Sequence, residues 1–345
     1  MVQRVFPRQN AREFKVMIIC RTPTRISFFG GGTDYPAWYQ IHGGMVLSTS
    51  INKYSYITVR YLPKFFDYKY RIRYYRTEET QTLEEIQHPS VRECARHLGI
   101  KDGFEVVHNA DLPAGTGLGS SSTFTVGMLH ALYALKNYMP TKRELAVEAL
   151  HVEQQLIGEA VGSQDQVAAA WGGFNRIKFG GDHIFDVDPI IIPRDREIAL
   201  QDNLLLCFTG FARSAPEIAQ HQIKETPQKV RELDEMQSLT DEALRVLTDE
   251  SSSLDIFGGL LGHQWNIKRN LTAHISNPEI DEIYNLGIQN GALGGKLLGA
   301  GGGGFMLFYA PIERHKGIKQ ALCKKLFVPF RFEDTGSKIV YYSHE

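Results

Sequence analysis

Leu112-Pro113-Ala114-Gly115-Thr116-Gly117-Leu118-Gly119-Ser120-Ser121-Ser122 is the stretch on which the fold turns. Before it, Phe104 to Asn109 reads as a strand; after it, a helical run extends from about Ser121 to Leu135. Strand, glycine loop and helix in that order make an anion cradle. The glycines let successive backbone N–H groups converge, and the helix start adds unpaired amides and the positive end of its dipole. Phosphate is the natural guest. The loop is not a Walker loop, since no Gly-Lys-Ser/Thr follows, and it is not the dinucleotide fingerprint, since Gly-x-Gly-x-x-Gly fails at Ser120. The His-Arg-Asp and Asp-Phe-Gly signatures of protein kinases are missing too. The plainer alternative is a glycine-rich turn with a serine N-cap.

Downstream, Pro140 and a capping box from Thr141 to Glu144 open another helix, whose pattern continues to about Ile157. On a wheel of roughly 100° per residue, Glu153 falls in the middle of the apolar face of Leu145, Ala146, Ala149, Leu150, Val152 and Ile157. A carboxylate on a buried face, near a helix end whose dipole also disfavours it, needs a compensating cation. Bound Mg²⁺ is one candidate, and a buried Arg or Lys partner is the other. Asp165, in Gly162-Ser163-Gln164-Asp165-Gln166, reads by itself as a cap or turn residue. Asp186-Val187-Asp188 has the form of a sugar-transferase metal motif, but alternating acids before a proline are commonplace.

The chain has 345 residues, enough for one large domain or two ordinary ones, and 32 of them are glycine, many in three clusters at 30–32, 115–119 and 299–304. These clusters adjoin apolar segments and not Ser/Gly tracts, so they read as loops that approach a ligand closely. The net charge of -1 gives no overall field for nucleic acid or anionic lipid, so the expected partner is a small molecule. Cys20, Cys94, Cys207 and Cys323 have neither metal-knuckle nor disulfide spacing, and the twelve histidines do not cluster as ligands. No apolar run reaches the roughly 20 residues of a membrane span, and the first residues lack a signal core, so a soluble cytoplasmic protein is expected.

Residues 1–16 read as a polar extension. From Lys53 to Glu78, tyrosines in partial alternation predict a hairpin with aromatic faces. Further on, the pattern predicts a strand at Leu204 to Thr209, helices near 226–249, 252–271 and 278–290, and strands near 305–309, 327–333 and 338–342 around a helix at 313–325. Helices and strands mix without regular alternation, an α+β pattern. The domain boundary is placed near residue 200, giving units 17–200 and 201–345.

Three motifs together carry a resemblance. Pro23-Thr24-Arg25-Ile26-Ser27-Phe28-Phe29-Gly30-Gly31-Gly32-Thr33-Asp34-Tyr35, the 113–122 loop, and Lys296-Leu297-Leu298-Gly299-Ala300-Gly301-Gly302-Gly303-Gly304-Phe305 resemble, in order, motifs one, two and three of the GHMP small-molecule kinases. The form of motif one and the Ser-Gln-Asp-Gln segment most resemble the branch acting on D-glycero-D-manno-heptose 7-phosphate, with fucose kinases close by. The resemblance implies an N-terminal domain like domain 2 of ribosomal protein S5 and a ferredoxin-like C-terminal domain. It implies ATP and Mg²⁺, with nucleotide over Pro113, Ala114, Gly115, Thr116, Gly117, Leu118, Gly119, Ser120, Ser121 and Ser122. Ser121 and Glu153 are implied as magnesium ligands, Asp165 as base or positioning carboxylate, and Arg25 as its cationic neighbour. Acceptor contacts are expected from Arg25, Gly31, Gly32, Thr33, Asp34, Gly301 and Gly302, with Lys296 and Arg213 as countercharges for a phosphate on the acceptor. Galactokinases carry a Glu where this chain has Gly31, which removes a charge that would repel that phosphate but equally suits fucose. A non-catalytic sensor of the same fold is the alternative of a different class.

Overall fold

In the computed structural model, which describes residues 16–180, 184–211 and 215–344, two long strands lay down the frame. They are β1 (Val16–Phe29) and β2 (Gly44–Tyr61), joined through the short helix α1 (Pro36–His42). The chain continues through β3 (Tyr70–Arg73), β4 (Thr77–Thr80), α2 (Pro89–His97), β5 (Phe104–Ala110), α3 (Ser120–Leu135), α4 (Lys142–His151), a π-helical turn (Val152–Ile157) and α5 (Gln164–Trp171). Then come β6 (Phe174–Phe179), β7 (Phe185–Pro189), α6 (Arg194–Asp202), β8 (Leu204–Phe208), α7 (Ala215–Glu225), α8 (Val230–Thr248), α9 (Leu254–Lys268) and α10 (Pro278–Gln289). The remaining elements are β9 (Gly294–Leu297), β10 (Phe305–Tyr309), α11 (Ile312–Ala321), β11 (Leu326–Phe327) and β12 (Lys338–His344).

The first sheet runs β12-β1-β2-β5-β3-β4, with β6 and β7 attached along the first half of β2; the second runs β11-β8-β10-β9. This is an α+β architecture. Helix α3 is apolar nearly all round, so it is buried from Ser122 to Leu135 against β1 and β2. Its residues Met128, Leu129 and Leu132 meet Ile18, Val59 and Val106 in the first core. A second core joins the sheets, with Phe28 edge-on to Phe257 of α9 at 5.5 Å and Phe305 and Leu307 of β10 behind. Bulges in β1 at Pro23/Thr24 and Ser27/Phe29 bend that strand on both sides of Arg25.

Several sequence expectations change. The tyrosine-rich hairpin does not form: β5 pairs with β2 and lies parallel to β3, separating the two segments. Alternation specifies a two-faced strand but not its neighbour. The strand expected at 327–333 is only the two residues of β11. The boundary near 200 falls inside α6, and β12 leaves the second half of the chain to pair with β1. The extension expected at 1–16 lies outside the described residues except for Val16, which opens β1. Among the described residues, no helix is long and apolar enough to cross a membrane.

Candidate active site

The glycine loop lies against the second half of the chain. Gly117 has φ +82°, and a Cβ there would stand 2.3 Å from the Leu298 carbonyl, so only glycine lets this loop press on the third cluster. Gly119, at φ +74°, caps α3 in a left-handed conformation that turns the chain into the helix. Ala114, Gly115, Gly117, Gly119, Ser120, Ser121 and Ser122 line a cleft of about 370 Å³. Pro113, Thr116 and Leu118 do not line it. Thr116 is buried, with its hydroxyl on the Pro113 carbonyl, and the buried Leu118 accepts the Arg25 N–H with its carbonyl.

Arg25 and Asp165 meet across the cleft wall. The Arg25 Nε donates to Asp165 Oδ1 at 2.7 Å and Nη2 to Oδ2 at 2.8 Å, a two-pronged pair, while Nη1 donates to the Gly117 carbonyl at 2.8 Å. One guanidinium thus ties β1, the glycine loop and the first turn of α5 together. The arginine side chain is 5% exposed and the aspartate 25%, so the carboxylate is the accessible partner. Asp165 stands in a helix and not in the loop that its local sequence suggested.

Glu153 is buried, as the wheel requires, but it sits in the π-helical turn after α4 and not in a continuous α-helix. Its Oε2 accepts from Ser122 Oγ at 2.8 Å and from Gln166 Nε2, and the Thr125 hydroxyl also favours its charged form, while among the described residues Oε1 has no hydrogen bond. Burial pushes its carboxyl up to about 7, against the hydroxyl and amide donors that favour the charged form. Among the described residues, neither Arg nor Lys pairs with it. The hydroxyl bonded to Glu153 belongs to Ser122, while Ser121, one residue earlier in α3, is exposed to the cleft that it lines.

Asp34 is buried, accepting from the Gly32 N–H at 2.9 Å and from the Gln164 amide side chain at 3.1 Å. Burial raises its pKa, the Gly32 N–H opposes that rise, and the charge of Asp165 adds to it. Because the Gly32 N–H is spent on Asp34, it is not offered to an anion. Thr33 is fully buried and its hydroxyl donates to the Gly30 and Met45 carbonyls, so it shapes the turn and does not face the cleft. Gly301 and Gly302 also stay out: a Cβ at 301 would strike Ile275, and the Gly302 N–H bonds the Ile275 carbonyl. The third cluster reaches the cleft through Gly299 and Ala300 instead.

Lys296 lines the cleft, but its Nζ donates to the Ser27 and Phe28 carbonyls at 2.8 and 2.9 Å, and burial drives its pKa well down. It is a strut between β9 and β1 more than a free countercharge. Arg213 lies outside the described residues. The residue that the sequence reading missed is Lys268, buried at the end of α9, whose Nζ donates to the Gly299 carbonyl at 2.6 Å and, among the described residues, forms no salt bridge. Burial lowers its pKa to about 8, with Asp34 partly countering. In sequence it is one of two basic residues at a helix C-terminus, where the dipole alone would account for it. Gln222 of α7 and Gln164, also in the wall, looked like ordinary polar helix residues. Asp188 pairs with Arg176 and Lys178 on the first sheet, a surface ion pair and no metal motif.

Residues 87–173 match the family model of the GHMP kinases N terminal domain, and residues 242–326 that of the GHMP kinases C terminal domain. The chain is 31% identical over 332 residues to the D-glycero-alpha-D-manno-heptose 7-phosphate kinase of Campylobacter jejuni subsp. jejuni serotype O:2, covering 92% of this chain and 97% of that one. It is 24% identical to the galactokinase of Pyrococcus furiosus, over 92% and 95% of the two chains. The crystal structure of a D-glycero-D-manno-heptose 1-phosphate kinase from Bacteroides thetaiotaomicron shares the fold, with a TM-score of 0.76 at 23% identity over 94% of this chain and 99% of that one. The protein is therefore a phosphotransferase. It belongs to the GHMP kinase family, whose members use ATP as phosphate donor.

Proposed function

We propose that this enzyme is a sugar kinase that transfers the γ-phosphoryl group of ATP to the anomeric hydroxyl of D-glycero-D-manno-heptose 7-phosphate, giving the 1,7-bisphosphate. The observation that carries the chemistry is the Asp165 carboxylate, held at both oxygens by Arg25 beside the glycine loop. Two of its four lone-pair sites go to the guanidinium, leaving the others for an acceptor hydroxyl. That hydroxyl attacks the γ-phosphorus in line with the departing ADP oxygen, and its proton passes to Asp165. Most of the barrier falls through alignment and charge neutralisation, to which Arg25 contributes.

The donor set near the phosphates suits Mg²⁺. A buried carboxylate with one oxygen free of hydrogen bonds among the described residues, next to a serine hydroxyl, is a hard oxygen ligand pair that a divalent cation would complete. Glu153 and Ser122 would hold the ion, which when bound neutralises phosphate charge. Asp34, with Gln164 behind it, presents acceptors to sugar hydroxyls.

Similarity to the Campylobacter heptose 7-phosphate kinase and a buried lysine beside Gly31 support a phosphorylated acceptor. Fucose is the second reading, because Gly31 also fits a sugar lacking a C6 hydroxyl. ADP release is to be followed with Mg-ATP across a panel of sugars and sugar phosphates, and the product identified by ³¹P NMR. A new anomeric phosphate on the heptose phosphate supports the proposal. Better turnover of L-fucose assigns the second reading, and no turnover of any sugar returns the chain to a sensor role.

A further inference from the structure

Gly31 differs from the other glycines of its cluster. Its backbone does not take the left-handed conformation that favours glycine, and a Cβ there would meet its neighbours only at ordinary contact distances. Neither conformation nor crowding requires glycine, so what the residue provides is open space. Three polar groups from three elements face that space, at 3.6 to 3.7 Å from where the Cβ would stand: Ser27 Oγ of β1, Gln164 Nε2 of α5 and Lys268 Nζ of α9. Beside it, Gln222 Nε2 lies 2.7 Å from the Cβ position of Gly32. All four side chains are more than nine-tenths buried, yet among the described residues Ser27 Oγ, Gln164 Oε1 and Gln222 Nε2 have no hydrogen-bond partner. Lys268 spends one of its three donors on Gly299.

Buried polar groups left unpaired cost free energy unless a guest completes them. Gln222 Nε2 and the two remaining Lys268 hydrogens are donors and Ser27 Oγ can donate, whereas Gln164 Oε1 only accepts and Gln164 Nε2 already donates to Asp34. Donors outnumber acceptors in the unfilled set, and an anion with several oxygens would fill it.

We infer that the cradle left open by Gly31 and walled by Ser27, Gln164, Gln222 and Lys268 receives the phosphate already carried by the acceptor, with Lys268 selecting phosphorylated over unphosphorylated sugars. This rests on the reading above that the acceptor is a sugar phosphate. Lys268 thereby takes the task that the sequence suggested for Lys296, whose ammonium is spent on two carbonyls. A side chain at position 31 would occupy the cradle, and a carboxylate there would pair with Lys268 in place of the guest.

The test measures kcat/KM for D-glycero-D-manno-heptose 7-phosphate and for the unphosphorylated heptose, in wild type, Lys268→Met and Gly31→Glu, with KM for ATP as control. Each substitution is expected to lower kcat/KM for the phosphorylated sugar by about 30-fold or more, the effect of removing one partner of a buried charge pair. The unphosphorylated sugar and ATP should change only a few-fold. An equal loss for both sugars in Lys268→Met, or a wild-type preference that survives both substitutions, overturns the role of the cradle. A wild type that favours the unphosphorylated sugar overturns the substrate reading instead. Gly31→Glu keeps the test open should Lys268→Met fail to fold.

Discussion

Replacing Glu153 by Gln should make the metal-free enzyme more stable while weakening its use of magnesium. The carboxyl is pushed from the ordinary 4.5 to about 7 by burial, so between those values the folded state holds a proton that the unfolded state has released. Stability is consequently lost as pH rises from 4.5 to 7, and the full cost, about 3 kcal/mol at roughly 1.4 kcal/mol per unit, persists above 7. Gln keeps the shape and one acceptor but cannot ionise, which removes that cost. For a chain of this length about 3 kcal/mol corresponds to roughly 4 °C in Tm. Thermal melts in EDTA at pH 8 should show the variant higher by about that much, and at pH 4.5 the difference should vanish. Initial rates against Mg²⁺ at pH 8 should show the opposite sign, with half-saturation moved up by at least the roughly 10- to 100-fold that loss of a supporting group costs a metal site. Parallel melting curves at both pH values, together with an unchanged magnesium requirement, would refute the view of Glu153 as a carboxylate awaiting its cation.

Asp165→Asn should lower kcat by roughly 10² to 10⁴, the usual contribution of a positioned base, while ATP affinity by calorimetry stays within a few-fold. Ser122→Ala should raise the magnesium requirement more than Ser121→Ala does, because Ser122 is bonded to Glu153 while Ser121 only lines the cleft; the same rate titration checks both. Thr141→Ala breaks a capping box formed from both sides and should cost about 1 kcal/mol in urea unfolding, with kcat preserved.

The helices whose ends carry caps were legible in the sequence. Thr141 with Glu144, and Asn277 with Pro278, mark their starts through interactions only a few residues long. Periodicity likewise exposed Glu153 as a buried acid, since burial of one helix face is a local pattern even where the winding loosens. What was not legible depends on tertiary partners. Nothing near Tyr54 or Tyr70 indicates that β5 will come between their strands, and nothing around Lys268 distinguishes it from a lysine at a solvated helix end. Whether Ser121 or Ser122 turns inward depends on where α3 begins, a one-residue matter that patterns do not resolve. Lys296 was assigned a ligand because the carbonyls that hold it lie at residues 27 and 28, on the other sheet.

The pairing of β12 with β1 also bears on how the protein is made. Met17 lies opposite Ser343, so an edge of the first sheet stays bare until residues 338–344 have been synthesised. The nascent N-terminal half, with β1 already beside β2, therefore presents the short edge from Val16 to Arg21 to other chains until β12 arrives, a state open to mispairing. Closing that register brings together residues more than three hundred positions apart, which places the step among the slow, non-local events of folding. Arg25 stands on the same strand four residues past that edge, where β1 is paired with β2, so the active-site end of the strand is framed independently of the late closure.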